Sequence, residues 1–487
     1  MQEKKNFGKK GLTKKSENIA KWYSDVVLRA DLADYSEVKG SMIIKPNGYA
    51  IWEKVQTVLD KKFKQNDIKN CYFPLLIPNH LLKKEKKHLQ GFSPELAVVT
   101  YAGGEKLSEP YVLRPTSETI MYKTFADWIH SYRDLPLKIN QWCNVIRWEK
   151  RTYPFLRTTE FLWQEGHTVH QIEQEAIKMA LEALKWYEDF YKDYFAISPY
   201  VGIKSEQEKF AGAKTTYSVE LVIPNGKALQ AATSHNLGDN FSKVFDISFL
   251  DNKEKKCHPF QTSWGLSTRS IGGLVLIHGD DSGLILPPKV ADPQVVILVI
   301  ADKEKIQSEK IKKYAQKIYE KLNKNGLRVK LDIDLKYSLG YRINEWEIKG
   351  VPLRIEIGQK ELKGKKIKFV RRDTFSQSLV FVEDLIIKTK SLLDQIQKDL
   401  FAKSEKIKRD LTVEVNTYQE FRKISQAQKV FIRAFWCEDK KCEEKIKQET
   451  KFSTRVLEMN KVKENLKGKC VHCGKPAKRK WLFAQAY

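Results

Sequence analysis

The residues best suited to chemistry begin in the stretch VIRWEKRTYPFLRTTEFLWQEGH, residues 145–167. Counting by twos along an extended chain puts Arg147 and Glu149 on one face of its first run. The same count puts five further side chains on one face of its second run: Thr159, Phe161, Trp163, Glu165 and His167. Burying so many ionisable groups without partners costs several kcal/mol for each group. The face is therefore either hydrated or binds something polar.

Two further stretches share this unusual mixture of residue types. VLRPTSETIMY holds Thr116 and Glu118 beside Arg114. LQAATSHNLGDNF and SWGLSTRSIGG together supply the third group, which comprises Gln230, Thr233, His235 and Arg269. The sequence has no serine-histidine-acid order and no G-x-x-x-x-G-K-[ST] loop, which argues against hydrolase and P-loop mechanisms.

Arginines on rigid strands suit phosphate, because a planar guanidinium grips two oxygens at once. Carboxylates beside aromatic rings suit an ammonium group. A site with both features could bind ATP and an amino acid side by side. Each stretch alone also has a purely structural explanation: Arg147 and Glu149 could form a cross-strand ion pair, His235 could be a turn residue, and Trp163 could belong to the core.

The charge balance points to a polyanionic partner. Among 487 residues, 87 are Lys or Arg and 61 are Asp or Glu, which gives a net charge of +26. Such a field favours nucleic acid, although solvated lysines from a lysine-rich proteome would give the same composition. The length predicts two to four domains.

The sequence predicts a cytoplasmic protein that does not span a membrane. No apolar run approaches the roughly 18 residues of a membrane span, and the longest obvious one is VVILVIA at residues 295–301. The basic N-terminus, MQEKKNFGKKGLTKK, lacks the apolar stretch of a signal peptide. In the cytoplasm thiols stay reduced, so the seven cysteines are candidates for metal ligands or core residues before disulfides.

The elements that must position these residues can be predicted from periodicity. Apolar spacing predicts helices over residues 16–30, 49–63 and 171–195, while CYFPLLIP at 71–78 is typical of a buried strand. A proline-rich boundary follows at residues 287–293.

Beyond that boundary the pattern is typical of a small α/β domain. The order is strand, helix and strand with short joints, followed by two further strands in VPLRIEIG and KIKFVRRDT. From about residue 401 the chain becomes strongly charged and enters a third unit, which holds four of the cysteines.

Those four cysteines have the spacing of a metal site. Four residues separate Cys437 from Cys442, and two separate Cys470 from Cys473. Paired short-spaced cysteines in a reducing compartment fit a closed, tetrahedral thiolate zinc site. Two alternatives are that His472 replaces one cysteine as a zinc ligand, or that the four cysteines form two disulfides without metal. The remaining cysteines are read as ordinary packed or surface thiols: Cys71, Cys143 and Cys257.

Four strings carry a resemblance to a known family: RPTSETIMY, NVIRWEKRTYPFLRTTEFLWQEGH, TSHNLGDNFSKVF and SWGLSTRSIGGLVLIHGD. They closely resemble class II prolyl-tRNA synthetase, of the archaeal/eukaryotic-like type with a zinc-bearing C-terminal domain and no large editing insertion. The resemblance runs from about residue 17 to Tyr487. It implies an α/β (α+β) fold, with a catalytic domain on an antiparallel sheet at 1–289, an α/β anticodon-binding domain at 290–402 and a zinc-binding domain at 403–487.

The resemblance also implies roles for individual residues. ATP would be bound by Arg147, Glu149, Arg157, Thr158, Gln230, Thr233, Ser267 and Arg269, of which Arg147 and Arg269 would be catalytic. Proline would be bound by Thr116, Glu118, Arg147, Trp163, Glu165, His167, Phe210 and His235. The family requires Mg²⁺ with ATP and forms a prolyl-adenylate before transfer to tRNA(Pro).

Further expectations follow from the same resemblance. Glu347, Lys349 and Arg354 would lie near the anticodon, and Cys437, Cys442, Cys470 and Cys473 would bind structural Zn²⁺. GSMIIKPNGYAIWEKVQ resembles the first class II signature motif, which builds a homodimer interface, and Tyr487 would fold toward the active site. The interval from His167 to Gln230 is too short for an editing domain. The alternatives are a non-catalytic RNA-binding paralogue and a synthetase for another small amino acid, such as threonine.

Overall fold

The computed structural model describes residues 11–84, 96–301 and 306–487. The predicted ranges 1–289 and 290–402 extend over residues outside this part, as does the start of the basic N-terminal stretch. The described chain forms three α/β units. Among the helices within it, none is both long and apolar enough to cross a membrane.

The N-terminal unit contains most of the strands. Its strands are β1 Ala33–Tyr35, β2 Met42–Ile44, β3 Lys69–Asn70, β4 Leu76–Pro78, β5 Val98–Ala102, β6 Glu105–Leu113, β7 Leu137–Ile146, β8 Glu160–His170, β9 Tyr200–Ile203, β10 Thr215–Val222, β11 Ala228–Gly238, β12 Phe249–Leu250, β13 Lys256–Cys257 and β14 Phe260–Ser267. Its helices are α1 Ile19–Arg29, α2 Pro46–Lys64, α3 Asn79–Lys84, α4 Glu118–Trp128, α5 Glu173–Asp193, α6 Asn240–Val244 and α7 Arg269–His278.

The predicted helices of this unit form with recognisable start signals. The side chain of Asn18 accepts hydrogen bonds from Ala20 N and Lys21 N at the beginning of α1. Pro46 occupies the first turn of α2, where its missing N–H has no cost. The long helix α5 buries one apolar face against the central sheet.

The expected buried strand over residues 71–78 is wrong for most of its length. Only Leu76–Pro78 is a strand, and the chain before it is irregular. Tyr72 is 69% exposed in this segment. An apolar run of this length cannot by itself distinguish a strand from an extended loop.

The central sheet passes through both the first and the last unit. Its eleven strands follow the order β20-β21-β25-β22-β9-β10-β11-β14-β8-β7-β3. Most neighbouring pairs are antiparallel, including the long pairs β7–β8, β8–β14, β14–β11 and β11–β10. Helices α5 and α7 pack on its apolar face, which leaves the other face for the polar residues.

The middle unit is a five-stranded sheet in the order β16-β15-β17-β18-β19. Its strands are β15 Val295–Val299, β16 Val329–Asp332, β17 Leu353–Ile357, β18 Lys366–Arg371 and β19 Gln377–Phe381. Its helices are α8 Ile306–Lys324, α9 Leu339–Ile348 and α10 Gln359–Lys363. Strand β15 pairs in parallel with both β16 and β17, as the strand-helix-strand pattern predicted.

The C-terminal unit begins inside a long helix, α11 Leu385–Asp410, which contains the predicted boundary at residues 402 and 403. Its other elements are β20 Thr412–Glu414, α12 Tyr418–Ala427, β21 Phe431–Trp436, α13 Lys440–Thr450, β22 Ser453–Glu458, β23 Gly468–Lys469, β24 Pro476–Ala477 and β25 Arg479–Ala484. Strand β22 pairs with β9, which makes this unit continuous with the N-terminal sheet.

A buried ion-pair cluster reinforces that junction. Glu220 accepts from Lys204 Nζ at 2.6 Å and from Arg455 Nη2 at 2.8 Å, and its side chain is fully buried. Burial raises the pKa of Glu220, but the Arg455 and Lys204 charges outweigh burial and lower it to about 2.

Candidate active site

The floor of the site consists of side chains in register across neighbouring strands. One row joins Gln141 to Glu165, Gly265 and Thr233. A second row joins Ile139 to His167, Ser263, His235 and Thr216. The period of two in β8 therefore presents Trp163, Glu165 and His167 to one side of the sheet.

This face forms the wall of a cavity of about 280 Å³. Among its lining residues are nine that the sequence suggested: Thr116, Glu118, Arg147, Trp163, Glu165, His167, Phe210, Gln230 and His235. Thr233, which the sequence assigned to the nucleotide, also lines it. The cavity thus brings together side chains that are far apart in the sequence.

Glu165 is the most densely hydrogen-bonded carboxylate in this wall. Ser117 Oγ donates to its Oε1, as does Gln141 Nε2 at 3.0 Å, and His167 Nε2 donates to its Oε2 at 3.2 Å. Burial raises the pKa of Glu165, but these hydrogen bonds, that from His167 foremost, hold it below its usual value. Glu165 is therefore ionised, and Tyr122 donates to His167 Nδ1 at 3.1 Å from behind.

Glu118 supplies a second carboxylate at the entrance to α4. The hydroxyl of Thr116 donates to its Oε2, which orients both side chains together. Both residues are buried. Glu118 and Glu165 thus line the cavity together with Trp163, an arrangement that suits a cationic amine.

His235, on the same face of the sheet, packs against Phe210 at the cavity. Their rings lie 4.8 Å apart between centroids, and Thr216 Oγ1 lies 3.0 Å from His235 Nδ1. Burial, together with the His167 ring, lowers the pKa of His235 to about 3. His235 is therefore neutral at working pH and serves as a polar, uncharged wall.

Two residues at the site could not be found from the sequence: Cys143, which contacts a lining residue, and Ser263, which itself lines the cavity. Cys143 lies opposite Trp163 in the strand pair and accepts from its Nε1 at 3.1 Å. Burial, with the Glu165 charge second, raises the pKa of Cys143 to about 12, so the thiol stays protonated. Ser263 faces the cavity with a buried hydroxyl that has no hydrogen-bond partner within the described chain. Only the strand register, which the sequence does not give, identifies these positions.

Two smaller cavities of about 110 and 180 Å³ adjoin the large one. Arg147 lines all three, and Arg269 lines both small ones. The other expected nucleotide-binding residues also line the small cavities: Glu149, Arg157, Thr158, Gln230, Thr233 and Ser267. The guanidinium groups of two arginines thus face one connected space.

Backbone carbonyls orient both arginines. Arg147 Nε donates to Pro115 O at 3.1 Å, and its guanidinium lies 5.6 Å from the ring of Trp163. Arg269 Nε donates to Leu156 O at 3.0 Å from the first turn of α7. Burial lowers the pKa of Arg269, and the charge of Arg157 acts in the same direction. The negative charge of a bound polyanion would act in the opposite direction and stabilise the charged form of Arg269.

The connection between β7 and β8 lines the cavity of about 180 Å³. Arg157 Nε lies 3.1 Å from Glu149 Oε2, and the Arg157 side chain is 58% exposed, so it can move to a ligand. The buried hydroxyl of Thr158 has no hydrogen-bond partner in the described chain.

Arg114, unlike Arg147 and Arg269, is fully buried and donates to the carbonyls of Phe73 and Asn144, so its role is structural.

The residues expected at the anticodon lie around α9 and β17. Arg354 Nη1 lies 3.2 Å from Glu347 Oε1, and Arg354 Nε lies 3.0 Å from Glu356 Oε1. Lys349 Nζ lies 3.3 Å from Asp31 Oδ2 in the N-terminal unit. All three expected residues are therefore held by ion pairs.

The four paired cysteines converge in the C-terminal unit. Their sulfur atoms lie within 4.8 Å of one another. Cys437 and Cys473 are 3.5 Å apart, and Cys442 and Cys470 are 3.6 Å apart, measured between sulfurs. In a tetrahedral zinc site with Zn–S bonds of about 2.3 Å, sulfurs are about 3.8 Å apart, so this donor set fits zinc.

Tyr487 lies next to the hairpin rather than in the large cavity. Its backbone N–H donates to Ala228 O at 2.9 Å. Its ring centroid lies 6.4 Å from that of Tyr153 on the hairpin. The chain terminus therefore approaches the outer side of the site.

Comparisons with known proteins agree on one family along the chain. Residues 101–278 match the tRNA synthetase class II core domain (G, H, P, S and T), residues 294–392 the anticodon binding domain, and residues 418–487 the prolyl-tRNA synthetase C-terminal family.

Individual relatives are similar over nearly their full length. The chain is 47% identical to proline–tRNA ligase 2 of Clostridioides difficile over 476 residues, 98% of each protein. It is also 47% identical to proline–tRNA ligase of Borreliella afzelii, over 98% of this chain and 99% of that one. A crystal structure of prolyl-tRNA synthetase from Cryptosporidium parvum, complexed with halofuginone and AMPPNP, superimposes with a TM-score of 0.93 at 42% identity, covering 98% of this chain and 99% of that chain.

Proposed function

Since the chain belongs to the prolyl-tRNA synthetase family and attaches proline to tRNA, we propose that the large cavity binds proline and the two small cavities bind ATP. Arg147 lines all three cavities, so that one guanidinium is within reach of both substrates in this proposal. That position is the observation on which the assignment rests.

For ATP, we assign the phosphates to the two arginines. Arg147 holds the α-phosphate and Arg269 the γ-phosphate end, since both face the connected small cavities. Glu149 accepts from the adenine amine. The remaining nucleotide contacts are Arg157, Thr158, Gln230, Thr233 and Ser267.

For proline, the acidic residues of the large cavity hold the secondary ammonium. Glu118 and Glu165 supply the negative charge, and Thr116 orients Glu118. Trp163, Phe210, His167 and His235 surround the pyrrolidine ring. Arg147 faces the proline carboxylate and brings it to the α-phosphate.

The reaction then follows from alignment and fixed charge. A carboxylate oxygen of proline attacks the α-phosphorus, the bond to the bridging oxygen breaks, and pyrophosphate leaves. The 3′-terminal ribose hydroxyl of tRNA next attacks the prolyl carbonyl carbon and loses its proton. The bond from that carbon to the bridging oxygen of the mixed anhydride breaks, and AMP leaves with this oxygen. No protein nucleophile is needed, so catalysis depends on positioning and on cationic groups placed where negative charge develops.

Mg²⁺ accompanies ATP in this proposal and offsets the charge of the triphosphate. Oxygen atoms are its preferred ligands. Ser267 provides a side-chain oxygen in the cavity of about 180 Å³, and the phosphate oxygens of ATP would supply further ligands, so the donors there fit the ion.

The central experiment is proline-dependent exchange of labelled pyrophosphate into ATP. We expect Arg147→Ala to lower the exchange rate by about 10²–10³-fold, because loss of one such fixed donor costs roughly 3–4 kcal/mol of barrier. Thermal unfolding should change little, since the Arg147 side chain is half-buried and lines the cavities rather than the apolar core. Near-normal exchange by this variant would refute the assignment.

We propose that Glu347, Lys349 and Arg354 contact anticodon bases. Unpaired bases are read through hydrogen bonds to their edges, and the three side chains present both donors and acceptors. Their ion pairs with Asp31, Glu356 and one another hold them in place before tRNA binds.

We propose a homodimer formed through the first signature motif. Four large apolar side chains are exposed between the end of β1 and the first turns of α2: Tyr35, Val38, Ile43 and Tyr49. A monomer does not ordinarily expose such a cluster. Sedimentation at micromolar concentration should give twice the chain mass, and a monomer would refute this assignment.

We further propose that Cys437, Cys442, Cys470 and Cys473 hold one structural Zn²⁺, which would cross-link the end of β21, α13 and the turn between β23 and β24. We assign the chain to the archaeal/eukaryotic-like architectural type and to the cytoplasm. Here the type refers to the order of domains and not to the source organism, because a bacterial relative aligns over 98% of its length.

We propose that the chain has no editing domain. Between β8 and β11 the structure contains only α5, β9, β10 and their connections. A pocket rejects a smaller amino acid by only about 1–3 kcal/mol per missing group, so alanine should be mischarged at a measurable rate. Rapid hydrolysis of alanyl-tRNA by the purified protein would contradict this proposal.

A further inference from the structure

The segment of residues 205–210, here called the pocket loop, connects the proline cavity to the C-terminal unit. Its last residues, Glu208, Lys209 and Phe210, line the large cavity. Phe210 N donates to Thr216 Oγ1 at 2.9 Å, and the Phe210 ring lies on His235. Small shifts of this loop therefore change the width of the cavity.

Helix α13 of the C-terminal unit contacts the other side of this loop through two polar pairs. Gln207 Nε2 donates to Glu444 Oε1 at 2.7 Å, and Lys447 Nζ donates to Glu208 Oε1 at 3.0 Å. Glu444 and Lys447 are three residues apart, so both lie on one face of the helix.

A buried contact anchors the beginning of the loop to the same helix. Ser205 Oγ donates to Glu443 Oε1 at 2.9 Å, and Thr454 Oγ1 donates to the same carboxylate and lies 3.0 Å from Ser205 Oγ. Ser205 and Glu443 are each 2% exposed. Ser205 O in turn accepts from Lys209 N at 2.9 Å, which fixes the turn leading to Phe210.

The geometry points to Glu444 and Lys447 as positioning residues for the proline site: by holding Gln207 and Glu208, helix α13 fixes the pocket loop and thereby the Phe210 wall. This inference rests on the proposed proline site. It gives the C-terminal unit a part in amino-acid recognition, although none of its residues lines the large cavity in the described chain.

The position of α13 explains why this arrangement can be rigid. Cys442, one of the four clustered cysteines, lies in the first turn of the helix, and Ile446 is fully buried against the C-terminal core. The helix is therefore held from behind while Glu444 and Lys447 face the loop. An exposed pair alone contributes little, but two pairs on a fixed helix bias the position of a short loop.

The test compares proline with ATP in the exchange assay. We expect Lys447→Ala and Glu444→Ala each to raise the KM for proline about two- to fivefold, and the double variant about tenfold. The KM for ATP should stay within twofold, because the nucleotide contacts come from other strands. The ratio of kcat/KM for proline to that for alanine should fall in parallel.

Lys445→Ala is the matched control, since Lys445 is an exposed lysine of the same helix with no contact to the loop among the described interactions. Lys447→Arg keeps the charge and should restore the KM for proline. A double variant with unchanged KM for proline, or a control that raises it equally, would overturn the inference. Absence of proline-dependent exchange in the unmodified protein would instead refute the proposed function.

Discussion

Replacing Glu165 with glutamine isolates the charge of one carboxylate in the proline cavity. The side chain is 2% exposed and accepts hydrogen bonds from Ser117, Gln141 and His167. The glutamine oxygen can still accept from Ser117 and Gln141. Its NH₂ group can donate to His167 Nε2, provided that His167 takes the other tautomer and donates from Nδ1 to Tyr122. The shape and most of the hydrogen bonds therefore survive the change.

What Glu165→Gln removes is the attraction for a secondary ammonium. For two unit charges about 5 Å apart at an effective dielectric constant of about 20, this attraction is about 3 kcal/mol. Since every 1.4 kcal/mol is a factor of ten, kcat/KM for proline should fall by about 10²-fold. Glu118 remains in the cavity, so activity should not disappear altogether.

The assay is pyrophosphate exchange over a range of proline concentrations, with the KM for ATP measured in parallel. Ser117→Ala is the comparison, because it removes one donor to Glu165 but leaves the charge. Its effect should be about fivefold, the value of one hydrogen bond worth about 1 kcal/mol. A fall of less than threefold for Glu165→Gln, or equal effects of the two variants, would refute the electrostatic role of Glu165.

Three further predictions concern stability. The pKa of Glu220 is about 2 against an ordinary 4.5, so between these values the unfolded chain takes up a proton that the folded chain does not. On the order of 3 kcal/mol of unfolding free energy should therefore be lost as the pH falls from about 4.5 toward 2. Urea titrations should show this loss, and an equally steep dependence in Glu220→Gln would contradict it. Gly166→Ala should destabilise by about 1–3 kcal/mol, because its Cβ would lie 2.1 Å from the ring of Trp264; an unchanged urea midpoint would contradict the packing argument. Cys442→Ser should lower the zinc content below one ion per chain and lower the Tm by several degrees, whereas full metal content would exclude Cys442 as a ligand.

Strand periodicity predicted part of the site from the sequence. Trp163, Glu165 and His167 line one cavity because β8 is regular along its whole length. Gln141, Cys143 and Ser263 could not be found in this way. Their place depends on which residues of β7 and β14 lie opposite β8, and the sequence of a single strand does not contain its register.

Boundaries of helices and strands were less predictable where a change in residue composition does not coincide with a change in backbone structure. The charged composition that begins at about residue 401 does not mark a break in the backbone, because α11 continues from Leu385 to Asp410 and carries exposed charged residues there, such as Lys403 and Lys406. Similarly, the apolar run beginning at Cys71 is loop for five residues, because it connects β3 to β4 across different sheets. An apolar run indicates that a segment is buried, but it does not indicate whether its backbone pairs with a neighbouring strand.

The pairing of β22 with β9 affects how the molecule could be shortened. Leu457 and Glu458 lie opposite Ile203 and Gly202, so the C-terminal unit supplies the neighbour that β9 would otherwise lack. Deleting residues after α11 would uncover a row of N–H and C=O groups on β9, next to the segment that carries Phe210. Open strand edges of this kind recruit other chains. A protein cut at that point should therefore self-associate rather than behave as an isolated catalytic fragment.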